Sequence, residues 1–281
     1  MTTRKLGQFC HRAEYAHYPT AVHHLGQSSP ASSALLLALR TPIADQQNQS
    51  SCVANAVTTA IEHNMASPME LSRDALYWLA RRAEHDGSEC RDEGSNIPLA
   101  CKVAIEEGVC AESLAQYGQQ NLTQIPTEAV LSECWRNRLP RTAYAAITAR
   151  DRKGALATAL QDGPFGRKVV VGFALRGADW TDYQWSAGAI HTPARADAGH
   201  AVCAVGYLGD DDADNAHMLL HMGATNSEVA CVALLRNAVI IQNSWGAEWG
   251  LGGYGFVDCS YFSDPLWCYN LSVLRGEPGQ S

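Results

Sequence analysis

The apolar segments of this chain change character near Leu156. Before that point the spacing favours helices, from Ala56 to Met65 as a continuation of SSCVAN, and over 72–84 and 98–107, the last ended by Gly108. After it, apolar and β-rich runs bounded by Gly, Asp and Pro favour antiparallel strands: KVVVGFAL, HAVCAVGYL, AVIIQNSW and GYGFVDC. Helices followed by strands, in a chain of 281 residues, predict an α+β protein with two lobes and a cleft between them.

The composition excludes several classes of protein. Hydrophobic residues make up 46% and charged residues 18%, which is typical of a globular protein. The net charge of -8 argues against nucleic acid or an anionic membrane as a partner, because both bind clustered Lys and Arg. No apolar run approaches the ~20 residues of a membrane-spanning helix, and the run Ala34–Leu39 lacks the basic flank and the early position of a secretory signal. We therefore expect a location in the cytoplasm, or export by a route without a cleavable signal peptide.

The cysteines and histidines do not form a metal-binding pattern. The ten cysteines lack the dense spacing of a small secreted scaffold, and none forms a Cys-x-x-Cys pair. The histidines before residue 25 have no acidic or thiol cluster beside them. The acidic run over 210–214 lacks the glycine and closing glutamate of a calcium loop, which favours a solvated turn. The sequence thus predicts neither a metal site nor a cofactor.

Three separate segments contain residues suited to nucleophilic catalysis. Gln46 lies six residues before Cys52, which opens a predicted helix where the dipole favours a thiolate. His200 enters an apolar strand directly after glycine, as a base that projects into a cleft would. Asn243 leaves another apolar strand, and a buried asparagine needs partners such as a ring N–H. Taken alone, Cys52 is better explained as a small buried helical residue.

Together these segments resemble the papain family of cysteine peptidases. TPIADQ followed by the cysteine is similar to the family's oxyanion glutamine and nucleophile, GHAVCAVGY to its histidine strand, and NSWGAEWGLGGYGF to its asparagine motif. Weaker similarity covers 92–118, which resembles the cleft wall and the helix behind it. LATALQDGPFGRKVVVGFAL resembles the strand pair before the histidine. The likeness runs from about Leu36 onward.

The resemblance implies a papain-like two-lobed fold, with a helical lobe and an antiparallel, β-barrel-like lobe. The peptidase domain would cover 34–281, mainly helical over 34–125 and mainly β over 126–281. Cys52 would be the nucleophile of a thioester mechanism, His200 its base and acid, and Asn243 the residue that orients the histidine. The oxyanion would be held by Gln46 and the backbone N–H of Cys52.

The same resemblance implies where a peptide or protein substrate would bind. Gly94 resembles the wall residue whose backbone pairs with an extended substrate. Ser95 and Asn96 would flank a specificity pocket, or are plain loop residues. Trp245 would lie at the substrate cleft and shield the hydrogen bond between histidine and asparagine from water.

The spacing departs from the family pattern at one point. His200 follows Cys52 by 148 residues (200 − 52), within the ~130–150 expected. Asn243 follows it by 191 (243 − 52), and we assign the excess to an inserted hairpin or loop near 208–238. Gln49 occupies the position of the family's structural half-cystine, so that disulfide cannot form. These features resemble the bacterial branch of the family.

Two alternatives to a peptidase stay open, as does the role of the first residues. The same residues could transfer an acyl group to another acceptor or hydrolyse a non-protein amide, and an idle cleft could simply hold peptides.

Residues 1–33 are too short for the long helical propeptide of familiar family members. We expect them to lie across the cleft as a plug and inhibit the enzyme, or to form a plain tail.

Overall fold

The computed structural model describes residues 41–65, 69–85, 91–118, 122, 124–141, 143–147, 151–161 and 168–274. Within these ranges the helices are α1 (Cys52–Asn64), α2 (Arg73–Glu84), α3 (Ile97–Glu106), α4 (Glu128–Arg136), α5 (Arg152–Gln161), α6 (Gly177–Thr181) and α7 (Asp212–His221). The strands are β1 (Tyr144–Ala146), β2 (Val169–Leu175), β3 (Ala198–Leu208), β4 (Ala238–Gln242), β5 (Tyr254–Asp258) and β6 (Cys268–Leu274). The expected extension, 1–33, lies outside the described residues.

The strands form one antiparallel sheet in the order β1-β6-β2-β3-β4-β5. Strand β3 is central and pairs with β2 on one side and β4 on the other, with Phe173 opposite His200 and Cys203 opposite Gln242. Because β3 and β4 are antiparallel, the start of one strand lies beside the end of the other. The sheet therefore brings His200 and Asn243 to the same end, although they are 43 residues apart.

Both faces of the sheet are buried, and successive residues of β3 point to opposite layers. Ala201, Cys203 and Val205 pack into the cluster that also contains the apolar residues of α1, α2 and α3. Val202 and Ala204 pack on the other side, against α5 and the 3-10 turn Cys259–Phe262. The α+β class is confirmed, since helices and an antiparallel sheet share one structure.

The helices of the first half begin and end at the residues their sequence favours. Ser72 caps α2 by accepting from the backbone N–H of Ala75 at 3.1 Å. Asn96 caps α3 in the same way, through Leu99 N at 2.8 Å. Gly108 then turns the chain with a φ of +93°, in the left-handed region that glycine adopts most easily. The three predicted helices are confirmed.

Part of the second half was predicted as strand and is helical instead. The segment LATALQ belongs to α5, so only the later residues of the expected strand pair form a strand, β2. The reason is local, because leucine and alanine are strong helix formers and the segment has a single β-branched residue. Helix α4 also lies in the region predicted to be mainly β, and Thr127 caps it.

The segment near 208–238 is neither a hairpin nor an irregular loop. It forms α7 followed by a 3-10 helix, Glu228–Leu235. The acidic run starts the helix, because Asp211 accepts hydrogen bonds from Ala213 N and Asp214 N. The segment joins the ends of β3 and β4 that lie about 27 Å from His200, given eight residues at ~3.4 Å each (208 − 200).

The expectations about metal sites and membrane-spanning helices can be compared with the described part of the chain. Within it, no group of three or more His, Cys, Asp or Glu side chains has the arrangement of a metal site. Across the same residues, no helix combines the length and apolarity needed to span a bilayer.

Candidate active site

Cys52 is the first residue of α1, and its side chain is 3% exposed. Ser51 is the N-cap residue, but its side chain makes no capping hydrogen bond to the first turn. The hydroxyl accepts instead from Asn55 Nδ2 at 3.1 Å and contacts the Tyr117 hydroxyl at 2.6 Å. The Ser51 side chain therefore does not cap the N-terminus of α1, where the positive end of the helix dipole lies beside Cys52. A helix N-terminus favours the thiolate form of such a cysteine.

His200 and Asn243 are joined by a buried hydrogen bond of 2.8 Å between Nε2 and Oδ1. A carboxamide oxygen can only accept, so Nε2 carries the proton and Nδ1 of the neutral ring carries the lone pair. Asn243 Oδ1 also accepts from the backbone N–H of Ser244 at 2.8 Å, which fixes the direction of the carboxamide. The imidazole is thus held in one tautomer with a basic nitrogen at Nδ1.

Two indole rings enclose the imidazole. The Trp245 ring lies 4.7 Å from the ring of His200 at an angle of 31°, and Trp180 meets it edge-on at 5.8 Å. Trp249 packs against both indoles, and its Nε1 donates to the carbonyl of Trp180 at 2.7 Å. Trp245 is 1% exposed. That burial suits the predicted shielding, while it leaves almost no ring surface for the substrate contact also expected of Trp245.

The Gln46 side chain is fully buried, and its direction is set from both ends. Oε1 accepts from the Ser244 hydroxyl at 2.7 Å, and Nε2 donates to the carbonyl of Gln49 at 3.0 Å. The amide nitrogen is therefore on the side of the turn that leads to Cys52. Ser244 contacts both Gln46 and Asn243, so one residue links the expected oxyanion donor to the expected histidine partner.

The backbone of the Gln46 segment is docked on the residues that follow Asn243. Gln46 N donates to Ser244 O at 2.8 Å, and Gly246 N donates to Ala44 O at 2.9 Å. Gly246 has a φ of +78°, and a Cβ there would lie 3.2 Å from Asp45 Oδ2. A glycine at this point lets the two segments approach, so all four predicted catalytic residues lie on elements in direct contact.

Residues 37–260 match the sequence profile described as "Papain family cysteine protease", which is most of the chain. The chain belongs to this family. A curated relative, the "Uncharacterized peptidase C1-like protein L477" of Acanthamoeba polyphaga mimivirus, is 27% identical over 235 residues. That match covers 78% of this chain, and this chain spans only 65% of the relative's length.

Solved structures of cysteine proteases share the papain-family fold. Xylellain, a cysteine protease from Xylella fastidiosa, aligns with a TM-score of 0.66 and 19% identity over 96% of this chain and 91% of its own. Digestive procathepsin L 3 from the Tenebrio molitor larval midgut aligns with a TM-score of 0.64 and 19% identity, over 92% and 74%. The predicted papain-like fold is confirmed.

In this papain-family chain, the wall residue Gly94 is committed to its own protein. Its N–H donates to the Tyr77 hydroxyl at 3.0 Å, and its carbonyl accepts from Arg81 Nη1 at 2.7 Å. An N–H has one hydrogen, so Gly94 does not present that donor to a substrate strand as expected. Its φ of +86° indicates a turn residue, which explains why glycine stands there.

The residues after Gly94 divide between two roles. Asn96 is the N-cap of α3, and its Oδ1 accepts from Leu99 N at 2.8 Å. Ser95 is half-buried, and its hydroxyl oxygen has no hydrogen-bond partner among the described residues. Asp92 ties this wall to the nucleophile segment, because its Oδ1 accepts from Ser50 N at 2.8 Å and from the Tyr77 hydroxyl at 2.9 Å. The wall and Cys52 are therefore held in one hydrogen-bonded unit.

Other thiols are chemically unlike a cysteine at a helix start. Burial raises the pKa of the thiols of Cys203, Cys259 and Cys268 to about 12. Burial also raises the pKa of the Cys101 thiol well above its ordinary value. A thiol that stays protonated is neither a nucleophile nor a metal ligand. These cysteines are therefore core residues.

Sequence reasoning missed several residues that build this site: Asp92, Tyr117, Trp180 and Ser244. Trp180 contacts the His200 ring from a different segment, and nothing in its local sequence indicates that contact. Ser244 lies within the asparagine motif, so its position beside Asn243 was a usable signal. Asp92 and Tyr117 reach the site from elements distant in sequence, and no local pattern reports such contacts.

Proposed function

We propose that this chain is a cysteine peptidase that hydrolyses peptide bonds through a covalent thioester. The observation that carries this proposal is the buried 2.8 Å hydrogen bond between His200 Nε2 and Asn243 Oδ1. It lies at the end of a strand against which the helix opened by Cys52 packs. A neutral imidazole with its lone pair on Nδ1 and a cysteine at a helix N-terminus together have the chemistry of an activated nucleophile.

In the proposed reaction, Nδ1 of His200 takes the thiol proton of Cys52. The thiolate attacks the carbonyl carbon of the scissile bond, and the electron pair moves to the carbonyl oxygen. That oxyanion is stabilised by the backbone N–H of Cys52 and by Nε2 of Gln46. His200 then gives its proton to the leaving amine, and a thioester remains on Cys52.

The second half of the cycle regenerates the enzyme. His200 takes a proton from water, and the resulting hydroxide attacks the thioester carbonyl. The tetrahedral intermediate collapses to the carboxylic acid product, which leaves and loses its proton to solvent, and His200 returns the proton taken from water to the Cys52 thiolate. Asn243 keeps the ring oriented throughout, and the burial of Trp245 and Asn243 keeps water from the hydrogen bond between His200 and Asn243.

The proposed substrate site moves one residue along the wall from the sequence prediction. Since the N–H of Gly94 donates to Tyr77, we assign backbone pairing with an extended substrate to Ser95, the next residue. Ser95 follows a turn that is fixed by Arg81, whose side chain is only 2% exposed. The wall is thus rigid before substrate arrives, which lowers the entropy cost of binding.

The test is labelling of Cys52 with a peptidyl epoxide or fluoromethylketone, followed by a cleavage profile over a peptide library. We expect one label per chain, on Cys52, with hydrolysis lost in step with labelling. Cys52→Ser is the matched control, since it keeps the size of the side chain. Peptide binding without labelling or hydrolysis would contradict the proposal and favour an idle binding module. Release of an acyl-amine in place of acid would favour acyl transfer.

A further inference from the structure

The hydroxyl of Tyr117 lies between the two segments that supply the proposed oxyanion donors. It is 2.9 Å from the carbonyl oxygen of Gln46 and 2.6 Å from Ser51 Oγ. Ser51 directly precedes Cys52, whose backbone N–H is the other proposed donor. One side chain therefore contacts the chain on both sides of the oxyanion position.

The direction of each hydrogen bond in this group follows from its atoms. A carbonyl oxygen can only accept, so the single hydroxyl proton of Tyr117 is donated to Gln46. Ser51 must then donate to the Tyr117 oxygen, and Ser51 Oγ in turn accepts from Asn55 Nδ2 at 3.1 Å. Burial raises the pKa of Tyr117 far above its ordinary value, so the hydroxyl keeps its proton throughout the working range. The result is a directed chain from Asn55 through Ser51 and Tyr117 to Gln46.

Tyr117 is itself anchored to the helical lobe. Its backbone N–H donates to Glu112 Oε1 at 2.7 Å, and the next N–H, of Gly118, donates to Asp74 Oδ2 at 2.6 Å. The guanidinium of Arg73 lies over its ring at 4.5 Å. These contacts fix the ring before any substrate binds.

The Gln46 segment is held from both sides. Its N–H is bonded to the carbonyl of Ser244, next to Asn243, while its carbonyl is bonded to Tyr117 of the helical lobe. The following residue, Gln47, has a φ of +52°, which is uncommon for a residue with a Cβ and costs backbone energy. A strained turn keeps its shape only where its surroundings hold it, and Tyr117 is one of the groups that hold the backbone of this turn.

We propose that Tyr117 is a positioning residue, which holds Gln46 so that its amide N–H meets the developing oxyanion. This inference rests on the proposed role of Gln46 as an oxyanion donor. In this role Tyr117 acts through the backbone of Gln46 and not on the substrate or the sulfur. Its removal should therefore lower kcat and leave KM and the thiol largely unchanged, because the donor matters most in the transition state.

The experiment is a double-mutant cycle between Tyr117→Phe and Gln46→Ala. Gln46→Ala alone should lower kcat by ~10²–10³, the usual loss for one oxyanion donor. Tyr117→Phe keeps the ring under Arg73 and should lower kcat about 10-fold, as for a slightly misplaced group. In the Gln46→Ala background, Tyr117→Phe should cost nothing further. The pH dependence of Cys52 alkylation should be the same in all four proteins.

Two further variants separate positioning from a general structural role. Tyr207→Phe removes another buried tyrosine hydroxyl, bonded to Asn237 Oδ1 at 2.7 Å, at the far end of β3. It should change thermal stability without changing kcat. Ser51→Ala leaves the bond between Tyr117 and Gln46 in place and should lower kcat by less than Tyr117→Phe.

The outcomes distinguish this inference from the function on which it rests. An equal loss from Tyr117→Phe in both backgrounds, or an unchanged kcat, would overturn the positioning role while the peptidase proposal stands. A kcat unaffected by Gln46→Ala would overturn the oxyanion assignment and this inference together. A wild-type protein that labels at Cys52 but hydrolyses no peptide would overturn the proposed function itself.

Discussion

At the scale of single residues, His200 is confined from three directions. Asn243 holds Nε2, Trp245 covers one face of the ring, and Trp180 meets it edge-on. Loss of the asparagine would therefore leave two aromatic contacts that still restrict the ring. Loss of the histidine would remove the proton acceptor altogether.

We predict unequal effects of Asn243→Ala and His200→Ala on kcat. Asn243→Ala should cost about 10–100-fold, the equivalent of one hydrogen bond to a charged group. His200→Ala should cost up to ~10⁴-fold, the upper range for a general acid–base. Steady-state kinetics on one peptide substrate measures both. Equal residual activity in the two variants would contradict the assigned roles.

The residues proposed for catalysis could be selected from the sequence because each lies in a short motif whose chemistry is local. Cys52 opens a helix, and His200 and Asn243 lie at strand ends. The role of Gly94 could not be predicted, because it depends on Tyr77 and Arg81, which are 17 and 13 residues away. The hydroxyl of Tyr117 reaches Gln46 across 71 residues, a contact that only the folded chain defines.

At the scale of secondary-structure elements, helix α1 holds Cys52 at one end and a buried carboxyl near the other. Glu62 is 6% exposed, and its Oε1 accepts from Leu71 N at 2.7 Å. Burial raises the pKa of Glu62 from 4.5 to about 8, against the smaller opposing effect of the Leu71 N–H. The helix therefore contains an acid that ionises near neutral pH.

This carboxyl should make stability depend on pH. Between about pH 4.5 and 8 the folded protein holds a proton on Glu62 that the unfolded chain has lost. The free energy of unfolding should therefore fall as the pH rises through that window. Glu62→Gln keeps an acceptor for Leu71 and cannot ionise, so its urea midpoint should exceed that of the wild type at pH 8 and match it at pH 4.5.

The matched control for this carboxyl is Glu248→Gln, at an exposed position. It should follow the wild-type dependence of unfolding free energy on pH. A wild-type urea midpoint that is flat between pH 5 and 8 would show that Glu62 is not protonated in the folded state.

The end of α3 gives a second element-scale prediction. Gly108 and Gly118 both have a left-handed φ, of +93° and +78°, so alanine is strained at either position. Only at Gly108 would the new Cβ meet backbone, 1.7 Å from Cys134 O, whereas nothing lies within 4 Å at Gly118. Urea denaturation should show a clearly larger loss for Gly108→Ala, above the ~1 kcal/mol expected from strain alone. Equal losses would mean that α4 can move away.

At the scale of the whole molecule, the elements with clear helical or strand periodicity were more predictable than the segments between them. Helical and strand periodicity gave the three helices of the first half and the central strands correctly. LATALQ was assigned wrongly because its likeness to a family segment outweighed its own helix propensity. The 208–238 segment was assigned wrongly because an acidic run suits a turn and a helix start equally well.

The extension, 1–33, lies outside the described residues, and its role stays a prediction. If it lies across the cleft, its deletion should raise kcat/KM on a small peptide without changing the urea midpoint. The matched comparison is the same deletion in the Cys52→Ser protein, which should bind a peptide more tightly than its full-length form. If the deletion changes neither kcat/KM nor peptide affinity, the extension is a plain tail.

The segment between β3 and β4 has a practical consequence for work on this protein. Its helix begins where β3 ends, about 27 Å along that strand from His200, and Thr225, Asn226 and Ser227 within the segment are exposed. A fluorescent reporter or an affinity handle grafted at Asn226 would face solvent. Such fusions would allow turnover to be followed, or the protein to be immobilised, without a change to the four proposed catalytic residues.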